Sequence, residues 1–110
     1  MSEKRRVDEL FDLTGHVAVI TGAGRGIGEG IAKAMSEAGA SVVVAARRTE
    51  EIERVASEIN DNGGEALAVT TDVTDDKALE NLAEAAVERF GSLSDWVNNA
   101  GGSPLRMPIM

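Results

Sequence analysis

A doubly wound α/β fold, with helices on both faces of a parallel sheet, is what this sequence predicts. Three observations predict it. Four short apolar runs have the length of strands. The three segments between them repeat apolar residues every three or four positions. A cluster of glycines joins the first run to the first of those segments. Strands alternating with helices of this length imply right-handed βαβ units.

Val17-Ala18-Val19-Ile20-Thr21 is apolar without alternation, as a strand buried on both faces must be. A helix is predicted over residues 27–38, with Ile27, Ile31, Ala34, Met35 and Ala38 as its inward stripe and Gly39 as its stop. Residues 41–45 form the second strand, with Val42, Val43 and Val44 in succession. Thr49 is expected to cap a second helix whose first turn carries Glu50 and Glu51, where the helix dipole favours acids. Ile52, Val55, Ala56 and Ile59 make its stripe, and Asn62-Gly63-Gly64 ends it. Residues 66–69 are the third strand. Thr74 is expected to cap the third helix, with Leu79, Leu82, Ala83, Ala86 and Phe90 facing inward and Gly91 as terminator. Trp96-Val97-Asn98 is a short fourth strand. Residues 1–12 are charged and lack strong periodicity, which predicts a tail or short extra helix outside the sheet. Residues 13–110 then make one partial domain.

Composition narrows the function classes. A length of 110 residues allows one domain at most, or part of one. Aromatics make up only 3%, so the core must rest on aliphatic residues. No apolar run is long enough to cross a bilayer. The basic residues near Lys4 are not followed by an apolar stretch, which argues against a secretory signal. The chain has no cysteine, hence no disulfide framework and no thiolate chemistry, and a cytoplasmic location is the simplest expectation. The net charge of −8 repels nucleic-acid phosphates and anionic lipid, so neither is an expected partner.

The turn Thr21-Gly22-Ala23-Gly24-Arg25-Gly26-Ile27-Gly28 carries the chemistry. A pyrophosphate needs a sharp turn, close backbone approach and free N–H groups at a helix start. Glycines supply the first two and the helix N-terminus the third. The turn follows a strand and opens an amphipathic helix, the setting in which such glycines bind a dinucleotide rather than only relieve strain. A Rossmann-type sheet of strand order 3-2-1-4 is therefore expected, as the front part of a larger domain. The spacing is Thr-Gly, three residues, then Gly-Ile-Gly, and the familiar G-x-G-x-x-G does not fit.

Three further places bear on the ligand. An acid about twenty residues past the glycines usually bonds the ribose 2′-hydroxyl. Here Arg47 and Arg48 stand after the second strand, and paired guanidinium N–H groups suit a 2′-phosphate, so NADP(H) is preferred and NAD(H) possible. The bland alternative is two solvated arginines before a helix. Asp72 after the third strand is placed to accept from an adenine amino group with Val73 packed on the ring, or else merely bonds the turn backbone near Thr74. Asn98-Asn99-Ala100-Gly101 either ties strand ends together and contacts a ribose, or is a plain turn.

With these residues in view, the chain resembles the short-chain dehydrogenase/reductase family from about Leu13 to Gly101. The marks are Thr21-Gly22-x-x-x-Gly26-Ile27-Gly28, Asp72-Val73-Thr74 and Asn98-Asn99-Ala100-Gly101, in order and at suitable spacing. The resemblance implies an NAD(P)(H)-dependent oxidoreductase of alcohols and carbonyls. It implies Asp72 and Val73 at the adenine, Asn99 and Ala100 near the adenine-side ribose, Ile27 under the pyrophosphate, and Arg47 on the 2′-phosphate, with Gly101 also among the cofactor-binding residues. It looks most like bacterial members acting on hydroxysteroids, oxoacyl thioesters or sugars, on a small-molecule alcohol or carbonyl, and as a homo-oligomer when complete.

Two departures stand out. Asp95 falls where an apolar residue is expected, so the fourth strand either starts late, leaving Asp95 at a wet end, or is locally strained. Trp96 is expected in the core. The family's Ser and Tyr-x-x-x-Lys also find no match, since the chain has no tyrosine. Lys33, Lys77 and His16 are not expected to replace them, so no residue here is assigned a catalytic role and the chain alone is expected to be inactive. The expectation is thus a chain truncated before the catalytic segment. The alternative is a non-catalytic dinucleotide-binding module, against which counts a fourth strand left as a bare edge. A methyltransferase-like Rossmann enzyme fits poorly with Arg47 and the Asn98 turn.

Overall fold

The structure, a computed structural model, describes residues 12–99 and the strand 105–108. The predicted tail, up to residue 11, lies outside the described residues, as do Ala100 and Gly101. The elements run β1 (Val17–Thr21), α1 (Gly26–Glu37), β2 (Ser41–Ala46), α2 (Thr49–Asp61), β3 (Glu65–Thr70), α3 (Asp76–Phe90), β4 (Asp95–Asn98) and β5 (Leu105–Pro108). The sheet order is β3-β2-β1-β4-β5. The first four strands are mutually parallel, with Val19 aligned to Val43 on one side and to Trp96 on the other.

The expected bare edge at β4 is not found. β5 pairs with it antiparallel, Asp95 opposite Pro108 and Asn98 opposite Leu105. Sequence reading passed over this segment because it has only four residues and contains a proline. A proline is compatible with an outermost strand, where no ladder N–H is required on the open side.

Side-chain alternation along β1 and β2 builds two cores. Ala18, Ile20, Val42 and Val44 meet α1 and α2 on one face, through Ala32, Met35, Ile52, Val55 and Ile59. Val17, Val19, Val43 and Ala45 meet Leu82 and Ala86 of α3 on the other. The α2 stripe is buried as predicted. Trp96 is half-buried against the second core.

The α1 stripe is the predicted one only in part: Met35 is buried and Ile31 packs against the first core. Gly28, Ala32 and Met35 face inward, while Ile27 is 64% exposed and Ala34 is exposed. The cause lies at Gly28, where a Cβ would collide with the Gly22 carbonyl oxygen and the Asn99 side chain. That close approach turns the helix about one residue from the face the large apolar side chains suggest, and leaves Ile27 bare at the turn.

Both predicted hydroxyl caps shift by one residue. Thr49 is already helical, the N-cap is Arg48, and the Thr49 hydroxyl pairs with that of Thr70 at 2.7 Å. Asp75 rather than Thr74 caps α3, its carboxylate accepting from the Lys77 and Ala78 amides.

Asp95 lies within β4 and is only 1% exposed, so the late-starting strand with a wet end is overturned. Its Oδ2 sits 2.7 Å from His16 Nδ1, across 79 residues of sequence. A buried carboxylate held by an imidazole avoids the cost of an unpaired charge. Nearby, Ser94 Oγ accepts from the Val17 amide at 2.6 Å, so the leading ends of β1 and β4 are fastened together.

Candidate functional site

Parallel strands with helices on both faces leave a crevice at the carboxyl ends of the strands, where the chain departs to opposite sides. Here that crevice is a cleft of about 700 Å³. It is lined by Gly22, Gly24, Arg25, Gly26 and Ile27 from the first turn and by Ala46, Arg47, Arg48 and Glu51 after β2. Thr71, Asp72, Val73 and Thr74 after β3 and Asn99 after β4 complete it. Ten of the predicted residues thus share one wall system. Gly28 stands behind the turn as a spacer.

The turn is shaped by positive φ at Gly22 (64°) and Gly26 (61°). L residues with side chains rarely adopt such angles, whereas glycine does so freely. Arg25 is the N-cap of α1 in extended conformation and makes no side-chain cap. The first-turn amides of a helix have no intrahelical partner, so an uncapped start facing a cleft presents donors to an anion. A Cβ placed on Gly26 would meet nothing within 4 Å, so the approach to the turn is open.

The inner wall is sewn by side chains. The Asn99 amide donates to Thr21 Oγ1 at 3.0 Å, and Asn99 Nδ2 donates to the Gly22 carbonyl at 3.2 Å. Thr21 Oγ1 donates to Asn98 Oδ1 at 3.1 Å. Of the two readings offered for the Asn98 turn, the tying of strand ends is realised. Thr21, buried at the end of β1, is the hub that sequence reading treated only as a motif letter.

Asp72 realises the turn reading. Its Oδ1 accepts from the Thr74 amide at 2.9 Å and from the Thr74 hydroxyl at 2.6 Å. These bonds, with a smaller contribution from the Arg47 charge, hold the carboxyl below the usual aspartate range. An ionised carboxylate has about four acceptor positions. Two bonds on one oxygen therefore leave room for a ligand amino group.

Arg47 and Arg48 are both exposed at the cleft mouth. Arg48 is 72% exposed and stands 4.0 Å from Glu51, a loose pair in water. Glu51 was not singled out from sequence, yet it lines the cleft and packs against the turn. A Cβ on Gly24 would lie 2.8 Å from the Glu51 Cβ. Helix position i+2 after Thr49 is the only sequence cue to it.

A charged web lies beside the turn. Arg54 of α2 pairs with Glu29 of α1 at 2.9 Å and with Glu58 at 3.0 Å, and Lys33 pairs with Glu29 at 2.7 Å and Glu58 at 2.6 Å. Hydrogen bonds from Arg54 and then Lys33 pull the Glu29 carboxyl down to about 2. Lys33 is thus engaged in a surface web, and His16 sits at the opposite end of β1 from the cleft. Lys77 is exposed on α3. Among the described residues, no group of three or more metal-ligating side chains forms a cation site, and no helix is long and apolar enough to cross a membrane.

Sheet order, glycine turn and cleft define a Rossmann-type α/β protein. Comparison with known proteins narrows the class. A family model described as short chain dehydrogenase matches residues 16–108, and the chain belongs to the short-chain dehydrogenase/reductase family. It is 43% identical over 100 residues to the 7alpha-hydroxysteroid dehydrogenase of Escherichia coli K12, covering 88% of this chain and 39% of that protein. It is 47% identical over 92 residues to versicolorin reductase stcU of Emericella nidulans, covering 83% of this chain and 35% of that protein. A crystal structure of hydroxysteroid dehydrogenase from Escherichia coli superposes with a TM-score of 0.81 at 43% identity, over 84% of this chain and 39% of the other. A dehydrogenase/reductase from Sinorhizobium meliloti 1021 gives 0.82 at 36% identity, over 87% and 38%. The chain therefore spans under two fifths of the length of these relatives and corresponds to the N-terminal part of the family's domain.

Proposed function

We propose that this chain is the cofactor-holding part of an oxidoreductase that moves hydride between a nicotinamide dinucleotide and the carbonyl carbon of a small molecule, with NADP(H) preferred over NAD(H). The observation that carries this reading is the meeting, in one cleft, of the glycine turn, the uncapped start of α1 and the Arg47–Arg48 pair. The donor set suits the ligand: main-chain amides for a diphosphate, guanidinium for a 2′-phosphate, a carboxylate for the adenine amino group.

In this reading the α1 amides and Gly24–Ile27 bind the diphosphate, and Gly22, Gly28 and Asn99 hold that turn in shape. Ile27 gives the diphosphate an apolar floor. Arg47 takes the 2′-phosphate, with Arg48 beside it. Asp72 and Val73 hold the adenine, and Asn99, Ala100 and Gly101 flank the ribose. The nicotinamide, when bound, supplies the hydride chemistry. Proton transfer to or from the substrate oxygen is left to a Tyr–Lys pair elsewhere in the complete protein, since this chain has no tyrosine. The substrate is a small-molecule alcohol or carbonyl, and the complete protein works as a homo-oligomer in the cytoplasm.

The test is calorimetric titration of the complete protein with NADPH and NADH. NADPH is expected to bind about tenfold or more tightly than NADH, the worth of one charge-assisted contact to phosphate. Arg47→Asp reverses that order. A wild type that binds NADH more tightly sinks the preference, and binding of neither sinks the reading.

One observation favours a second reading, a stand-alone dinucleotide-binding module. β5 covers the β4 edge and, as the outermost described strand, is short and ends in a proline, which weakens the objection that such a module would expose a sticky strand. Tight NADPH binding without turnover of any alcohol or carbonyl by the complete protein is the outcome that selects it.

A further inference from the structure

We infer that Arg54 of α2 is a positioning residue for the diphosphate-binding turn. This inference rests on the cofactor reading above. Arg54 Nη2 donates to the Gly24 carbonyl oxygen at 3.3 Å, and both of its terminal nitrogens reach Glu29 at 2.9 and 3.2 Å. One turn earlier on α2, the Glu51 side chain packs on the Gly24 Cα position. Gly24, the midpoint of the turn, is therefore held by two residues three apart on a neighbouring helix.

The consequence follows from peptide geometry. In a trans peptide the carbonyl and the next N–H point in opposite directions. With the Gly24 carbonyl on Arg54, the Arg25 N–H is turned away from α2. Glycine gives the Gly24–Arg25 peptide little intrinsic preference, so a tether must choose its orientation. Released from Arg54, the peptide rotates and offers the diphosphate a carbonyl oxygen where a donor is needed.

The web around Arg54 does not account for itself as a stability device. Arg54 is 46% exposed and Glu58 43% exposed, and surface pairs of this kind contribute about 0–1 kcal/mol. Glu29 is the anchor: it is 19% exposed and takes both Arg54 and Lys33, which fixes the guanidinium plane beneath the turn. Lys33 shares the web but makes no bond to the turn among the described contacts. It is the internal control.

The experiment compares wild type, Arg54→Lys, Arg54→Leu and Lys33→Met in the complete protein. Dissociation constants are measured by calorimetry for NADPH, which carries a diphosphate, and for adenosine 2′-monophosphate, which does not reach the turn. Unfolding midpoints are measured alongside. Arg54→Leu should weaken NADPH about tenfold, the net worth of a lost positioning bond, and leave adenosine 2′-monophosphate within about twofold. Arg54→Lys keeps the charge but not the fork, so it should weaken NADPH about threefold with an unfolding midpoint near wild type. Lys33→Met should leave both affinities unchanged, with at most a small drop in the midpoint. Equal NADPH affinity in wild type and Arg54→Lys overturns the inference, as does equal loss for both ligands in step with the unfolding midpoint. Should Arg54→Leu not fold, Arg54→Lys alone decides. A wild type that binds adenosine 2′-monophosphate and NADPH normally separates such a failure from failure of the cofactor reading, in which neither ligand binds.

Discussion

Helices α1 and α3 start along the same edge of the sheet and start differently. α3 opens on Asp75, whose carboxylate accepts from two first-turn amides, and closes on Gly91 in the left-handed conformation. α1 opens on Arg25, which caps nothing with its side chain, behind a turn with two positive-φ glycines. α2, whose N-cap Arg48 makes no side-chain cap, starts as α1 does, whereas a helix capped as α3 is satisfies its own amides locally. One that leaves them open at a cleft mouth forgoes that stabilisation and keeps the donors for an incoming anion.

The comparison breaks hardest at Gly28. Gly28→Ala drives a Cβ into the Gly22 carbonyl, and should cost about 3 kcal/mol of unfolding free energy in denaturant titration. Gly30→Ala, whose Cβ meets nothing within 4 Å, should instead gain up to ~1 kcal/mol from helix propensity. Equal effects at the two positions would remove the close approach from the account. Giving α1 the cap it lacks sharpens the contrast. Arg25→Asp should keep or slightly raise the unfolding midpoint, yet weaken NADPH by about tenfold as the new carboxylate takes the amides and repels phosphate. The smallest effect belongs to α3: Asp75→Ala should lose about 1 kcal/mol of stability with NADPH affinity unchanged. A drop in NADPH affinity there would mean that the two helix starts are not separate in function.

Much of this was legible in sequence because it is local. The first four strands, the three helices and the α2 stripe follow from apolar spacing within windows of a dozen residues, and the glycine turn from its place between strand and helix. What escaped depends on partners far along the chain. Asp95 looked like a misfit until His16 met it, 79 residues away. The inward face of α1 is set by the close approach of Gly28 to the Gly22 carbonyl and the Asn99 side chain, which no hydrophobicity pattern encodes. Thr49 and Thr74 lost the caps expected of them to a one-residue shift, with Asp72 recruiting the Thr74 hydroxyl for its own turn. Glu51 read only as a first-turn acid suited to the helix dipole and Arg54 was not singled out, and only packing reveals that they grip Gly24.

The knot at Thr21 decides where the cleft can give. Asn99 is bonded both to the Thr21 hydroxyl and to the Gly22 carbonyl, so the end of β1, the glycine turn and the end of β4 travel as one piece. The cleft behaves like a vice with one jaw cast solid. The other jaw is loose only at the exposed Arg47 and Arg48, since Thr71 is buried with its amide on the Ala46 carbonyl and Asp72 is bonded to Thr74.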